Sequence, residues 1–400
     1  MKKNIILKVF IALITLSLSC KKNHPPKTDH PTECTQGFPA IIWAKNVSEH
    51  YTVLDPFNIA FNNAGHLVLN GRFIETHDFD PGPGVNNLTA GAYPGNDWAE
   101  EIDTAGNYLT ATLGENFNVP IVPYGAVSRI KDASGNNYTT GTLNSTDDFD
   151  PGPAVFNLTY TGVEDEDFYV PRGFYIRKMD AAGNFKWAIL SGLIDYREDR
   201  SFTIAVDAEG NVYTAGHGPG LTNKGMGYYL QKFNNNGELV WEQKTERHND
   251  VAMALDPTGN IYTLSADENA VAKYNSTGTL IAEIPITVSG ITAPSFITTD
   301  ASGSLYIGGI ILTDYYIQKN DASGNLKWLI KSKGTVLPGE PTGSFNRISG
   351  LVVDPSTTYI YAVGLYSGEV NFNPGSGTTK LTSSNKDDAR LFLVKYRQCN

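Results

Sequence analysis

The sequence predicts an all-β fold, a six-bladed β-propeller of four-stranded antiparallel blades whose ring is closed by an N-terminal strand completing the last blade. Three observations lead there. A short unit built on Asp-x-x-Gly-Asn and a following Tyr recurs along the chain. A second unit, with its own Asp-x-x-Gly-Asn and often a Trp, follows each copy. The last copy stops one strand short, while a strand of the missing kind stands alone near the N-terminus. Self-similarity on this scale marks repeat architectures, in which each unit buries its apolar face only against its neighbours.

Composition agrees. Of 400 residues, 40% are hydrophobic, which supplies a sizeable core and excludes wholesale disorder. The 39 Gly and 21 Pro are too few for a collagen-like chain. Length alone would suit two or three domains, but all-β units often run this long as one. The formal charge of −11 argues against nucleic acid as a partner, because phosphate binding needs a basic surface.

The first residues read as a targeting segment. Lys2 and Lys3 precede an apolar run from Ile5 to Leu18, too short to span a membrane comfortably, that ends in Ser17-Leu18-Ser19-Cys20. This resembles a bacterial lipoprotein signal, in which Cys20 would be lipidated and become the new N-terminus; Ser17 stands where that motif usually has Leu. Residues 1–19 would be removed with three lysines and no acid, taking the formal charge from −11 to −14. Residues 20–33 are polar and Pro-rich, a tether between an envelope membrane and a folded domain over 34–400. The expected location is the cell envelope, most naturally the outer membrane, with no membrane contact beyond the lipid.

The repeats follow. The first unit appears as DASGNNYTTG (132–141), DAEGNVYTAG (207–216) and DPTGNIYTLS (256–265), with looser copies at 62–71, 300–309 and 354–364. The second appears as IRKMDAAGNFKW (176–187), LQKFNNNGELVW (230–241) and IQKNDASGNLKW (317–328), with looser copies at 99–110 and 271–282. Alternating β-branched and aromatic residues predict half-buried strands. In the connector, Asp or Asn accepts turn-backbone hydrogen bonds and Gly supplies the positive φ of a bulged hairpin. Two hairpins make four strands, or one blade. Trp43, Trp187, Trp241 and Trp328 fall at one repeated position, which predicts packing between blades.

These units, with the Phe-Asp-Pro-Gly-Pro inserts described below, resemble the SBBP-type β-propeller repeats of exported bacterial proteins. The resemblance covers nearly the whole mature chain. That family is often seven-bladed, and six units are marked here.

The sixth second unit runs out at Cys399-Asn400. AIIWAKN (40–46) has the character of the missing fourth strand, and adding it to the last blade removes exposed sheet edges. Cys34 precedes that strand and Cys399 follows the C-terminal one. With Cys20 lipidated they are the two cysteines left in an exported chain, where disulfides persist, so a Cys34–Cys399 bridge is expected.

Both Asp-x-x-Gly-Asn turns of every blade fall on one face. The connections between second and third strands fall on the other, and varied loops on a rigid frame are where binding residues tend to sit. Three of these connections share a motif: DFDPGPGVNNLT (78–89), DFDPGPAVFNLT (148–159) and NFNPGSGTTKLT (371–382). Asp78 and Asp80, with Asp148 and Asp150, are weak calcium candidates. They lack the full run of oxygen ligands that loop sites use, and the third copy has Asn in both places. No cofactor is expected.

Counting back from each first-unit Asp reaches the mouth of the central channel, where Tyr124, Arg200, His248, Asp250, Asn346 and Arg347 are candidate ligand-binding residues. No nucleophile elbow, zinc-protease helix motif or P-loop is present. The expectation is a monomeric binding or scaffold module for a protein or glycan. The alternative is a polysaccharide hydrolase or lyase using His248, Asp250 and Arg200.

Overall fold

A computed structural model describes residues 38–47, 55–91, 95–113, 129–132, 134–143, 145–161, 172–195, 202–222, 225–246, 250–265, 268–288, 292–312, 314–335, 346–383 and 389–399. The signal segment, the tether, Cys20 and Cys34 lie outside the described residues, as do Tyr124, Arg200 and His248.

The described chain is all-β and forms six four-stranded antiparallel sheets. Strand β1 (Ala40–Asn46) comes first. Sheet one holds β2 (Asp55–Phe61), β3 (Leu67–Phe73), β6 (Asn96–Ile102) and β7 (Tyr108–Leu113), with the hairpin β4 (Thr76–Asp78) and β5 (Asn87–Thr89) between β3 and β6. Sheet two holds β8 (Arg129–Lys131), β9 (Asn137–Leu143), β12 (Arg172–Met179) and β13 (Phe185–Asp195), with the hairpin β10 (Thr146–Asp148) and β11 (Asn157–Thr159). Sheet three is β14 (Thr203–Val206), β15 (Val212–Gly218), β16 (Gly227–Phe233) and β17 (Leu239–Thr245). Sheet four is β18 (Asp250–Leu255), β19 (Ile261–Ser265), β20 (Ala270–Tyr274) and β21 (Leu280–Pro285). Sheet five is β22 (Thr292–Thr299), β23 (Leu305–Ile311), β24 (Asp314–Asn320) and β25 (Leu326–Lys331). After β26 (Lys333–Thr335), sheet six holds β27 (Asn346–Val353), β28 (Tyr359–Tyr366) and β31 (Arg390–Arg397), with β29 (Glu369–Asn371) and β30 (Lys380–Thr382) as its hairpin. Its fourth strand is β1, which pairs with β31 in the register Ala44 to Val394.

The repeated motif has a physical reason visible in sheet four. Asp256 Oδ1 accepts the backbone amides of Thr258 and Asn260, each at 2.9 Å, and Gly259 sits at φ 82° to close the bulged turn. Oδ2 accepts Asn260 Nδ2 at 2.8 Å and the Tyr262 hydroxyl at 3.0 Å. The motif's Asp, Asn and Tyr are therefore one hydrogen-bonded unit. Above the ring of Tyr262 lies Lys273 Nζ, 5.2 Å from its centroid, a cation–π contact repeated by Lys178 on Tyr138, Lys232 on Tyr213 and Lys319 on Tyr306.

The tryptophans do share one position. Trp43, Trp187, Trp241 and Trp328 each stand opposite the third-strand Lys of their sheet. Trp43, Trp187 and Trp241 also lie against the turn glycines Gly106, Gly237 and Gly278 of the following sheet, which is the packing role expected of them.

Apolar clusters join consecutive sheets. Phe174 of sheet two stacks on Phe202 beside sheet three at 4.4 Å. Further clusters link sheets three and four, four and five, five and six, and six and one, the last through Tyr361, Val363 and Leu391 packed with Ile59, Leu67 and Leu69. Residues 114–128, between sheets one and two, lie outside the described set, and no apolar cluster among the described residues spans that junction.

Candidate functional site

The three Asp-Pro-Gly-type inserts fold as β4–β5, β10–β11 and β29–β30, each between the second and third strands of its sheet. Asp78 Oδ1 accepts the amides of Asp80 at 3.1 Å and Asn86 at 2.8 Å, and Asp80 Oδ1 accepts Gly82 at 2.8 Å. Asp148 and Asp150 repeat this with Asp150, Phe156 and Gly152. Asn371 and Asn373 repeat it again with their amide oxygens, bonding Asn373, Thr379 and Gly375. An asparagine does the same work here as an aspartate, so the shared motif encodes a turn. Among the described residues no group of three or more His, Cys, Asp or Glu is placed to hold a metal ion.

The candidate residues of the channel mouth separate. Asp250 and Asn346 are the first residues of β18 and β27. Both are buried, at 7% and 1% exposure. Asn346 Nδ2 donates to Asp314 Oδ1 at 3.1 Å, and the same oxygen accepts Ser332 Oγ and the Gly334 amide. Asn346 thus belongs to a buried network that fixes the end of sheet five. Arg347 is half-buried in β27 beside it. Tyr124, Arg200 and His248 lie outside the described residues.

Sheet one departs from the repeat at two adjacent residues. In the third strands, Arg177, Gln231 and Gln318 occupy one register position and Lys178, Lys232 and Lys319 the next; β6 has Glu100 and Glu101 there. Glu101 accepts from Asn62 Nδ2 at 2.7 Å and contacts His66 Nδ1 at 2.6 Å, a charge-reversed version of the Asp–Lys arrangement elsewhere. The hydrogen bonds from His66 and Asn62 hold its pKa below the usual carboxyl range.

Glu100 is different in kind. It is 1% exposed, and neither carboxyl oxygen has a hydrogen-bond partner. At the same position Gln231 bonds the Ser191 carbonyl and Glu242, and Gln318 bonds the Pro285 carbonyl, bonds that Glu100 does not make. Burial, and then the charge of Asp80, push the pKa of Glu100 well above the carboxyl range. The β4–β5 hairpin covers this position. Phe79 packs on Trp98 at 5.5 Å, and Asn86 Nδ2 donates to Tyr108 Oη at 2.5 Å and to the carbonyl of Ala111, the residue paired with Glu100. In the sequence 99–110 stands out only as a looser copy of the second unit; the signal is the break in pattern at residues 100 and 101.

The face of second-to-third-strand connections also carries exposed apolar side chains. Val85 and Val155, at matching places in two hairpins, are 73% and 71% exposed, and Leu312, between β23 and β24, is 74% exposed. Leu312 adopts φ 53°, a left-handed conformation that leucine rarely takes. Met226 and Leu221 are exposed in the corresponding connection of sheet three.

No protein-family model matches the sequence, and no curated protein matches it. Among solved structures, the chain is similar to a virginiamycin B lyase from Staphylococcus aureus, with 10% identity, 89% of this chain and 99% of that one covered, and a TM-score of 0.45. A streptogramin B lyase is similar at 12% identity, with 88% and 97% covered and a TM-score of 0.44. A protein assigned as a gluconolactonase is similar at 11% identity, with 90% and 94% covered and a TM-score of 0.42.

Proposed function

We propose that the chain is an exported lipoprotein of the SBBP-repeat kind, whose domain closes as a six-bladed propeller and presents its second-to-third-strand face to a protein or glycan partner. Six four-stranded sheets, apolar clusters at five junctions and the pairing of β1 with β31 support the closed ring. A Cys34–Cys399 disulfide would lock that pairing. Cys399 Sγ lies 2.7 Å from the carbonyl oxygen of Phe38, four residues after Cys34, which supports the bridge. Anchoring through Cys20 and a monomeric state rest on the sequence reading.

The observation that carries the binding role is the exposure of Val85, Val155 and Leu312 on rigid connections of one face. These are the three most exposed large apolar side chains among the described residues, which supports a partner on this face. A catalytic reading would need His248, Asp250 and Arg200 to converge on substrate. Asp250, the one described member, is buried, and nothing among the described residues favours that reading over binding.

The test replaces Val85, Val155 and Leu312 with Ser in the lipidated protein and compares envelope cross-linking and glycan-array binding with the parent. The expected result is a partner or glycan signal lost at least about tenfold while folding is unchanged, since surface substitutions cost little stability. Recovery of the same partners at the same yield would remove the face from consideration.

A further inference from the structure

The β4–β5 hairpin is seated over an acid that no hydrogen bond holds. Trp98 and Glu100 are buried on one face of β6, with Leu69 of β3 and Ala111 of β7 paired to Glu100 on either side. The hairpin closes over this face at two points. Phe79 packs on Trp98, and Asn86 Nδ2 donates to Tyr108 Oη and to the Ala111 carbonyl. Beneath that cover, both Glu100 carboxyl oxygens and Trp98 Nε1 lack hydrogen-bond partners. A neutral acid can stay there at modest cost, whereas a carboxylate would be a buried charge with nothing to solvate it.

The surrounding elements do not offset such a charge. Leu69 and Ala111 are apolar, and burial keeps the Tyr108 phenol protonated. Asp97 and Glu101 alternate to the other face of β6, where they meet Arg72 and His66. Asp80, on the hairpin, is the one charge among the described residues that acts on Glu100, and it opposes ionisation. In sheets three and five the same register holds Gln231 and Gln318, which do not titrate, so the arrangement belongs to sheet one.

We propose that the β4–β5 hairpin is a pH-sensitive flap, held down while Glu100 is neutral and lifted as Glu100 ionises. With the flap lifted, Glu100 would ionise near 4.3, as glutamates do in water. With the flap down, burial holds the proton on to higher pH. Seating is therefore complete below about 4.3 and weakens as pH rises, by at most about tenfold per unit, until the covered carboxyl itself ionises. Val85 rides on this hairpin, so lifting would move one side chain of the proposed binding face, a consequence that rests on that reading.

The experiment follows hydrogen exchange of the indole N–H groups by NMR, in the purified full chain carrying isotope-labelled tryptophan, from about pH 5 to 8. Trp98 is assigned by the signal lost in Trp98→Phe. Having no hydrogen bond, its indole proton is protected only by the cover above it. Trp328 Nε1 is likewise buried and unbonded, in sheet five, and serves as the reference. Protection of Trp98 relative to Trp328 is expected to fall at least about tenfold across this range in the parent. Glu100→Gln, the neutral isostere, is expected to hold it constant. Constant relative protection in the parent would overturn the flap whether or not the variant folds, and so would an equal fall in Glu100→Gln. Neither readout needs a partner, so failure of the binding role leaves this test intact.

Discussion

The hydroxyl of Tyr262 donates to Asp256 Oδ2 at 3.0 Å, joining a core strand to the turn six residues before it. The same bond joins Tyr138 to Asp132 at 3.1 Å, Tyr213 to Asp207 at 3.1 Å and Tyr306 to Asp300 at 2.8 Å. Tyr262→Phe removes a hydrogen bond to a charged acceptor and is expected to cost about 1.5–3 kcal/mol, read from denaturant unfolding at pH 7. Phe at 262 with unchanged stability would mean that the turn stands on its backbone bonds alone.

Acid should undo these turns together. Burial opposes ionisation of Asp132, Asp256 and Asp300, but hydrogen bonds from the turn and from Tyr outweigh it and hold each pKa below the usual value. A carboxylate with a lowered folded-state pKa contributes stability that is complete above its unfolded value, near 3.9, and is lost as pH falls through the folded one. Thermal midpoints are therefore expected to decline as pH is lowered below about 4. Asp256→Asn should flatten part of that decline, and an unchanged pH profile would contradict the assignment.

Gly364 in β28 has no room for a side chain, since a Cβ there would stand 2.0 Å from the carbonyl oxygen of Arg347 in β27. Gly364→Ala is expected to destabilise the protein by roughly 3 kcal/mol, because backbone cannot yield as a side-chain tip can. Equilibrium unfolding checks this, and a cost under about 1 kcal/mol would show that the two strands are free to separate locally.

Oxidised protein is expected to yield a Cys34–Cys399 peptide on non-reducing mapping, and reductant should lower the unfolding midpoint. The chain-entropy ceiling for so long a loop is roughly 5 kcal/mol. Cys399→Ser should be insensitive to reductant. Free thiols at both positions in the oxidised protein would dismiss the bridge.

Much of this architecture was legible because the repeat is written in local chemistry. Asp256, Gly259, Asn260 and Tyr262 act within one turn and its strand, so their spacing is enough to reveal them. The strand expected at 40–46 forms over Ala40–Asn46 and pairs with β31, because Trp43 marks the same position as the other tryptophans. The site was less legible. Asp250 and Asn346, expected at the mouth of a channel, begin strands β18 and β27 and are buried, and that burial depends on neighbouring sheets. Glu100 was hidden for the same reason: its character comes first from burial under a hairpin and then from the charge of Asp80, and one repeat shows it only as a departure from the others. The exposure of Leu312 likewise reflects a two-residue connection that no motif announces.

The central claim is that β1 completes the last sheet of a closed ring. Native-state hydrogen exchange on the Ala40–Asn46 amides tests it most directly, because pairing of Ala44 with Val394 ties the chain ends together. Protection of those amides equal to that of Arg390–Arg397, lost in the same cooperative step, is the predicted result. Exchange of Ala40–Asn46 at unprotected rates while β27, β28 and β31 stay protected would contradict it.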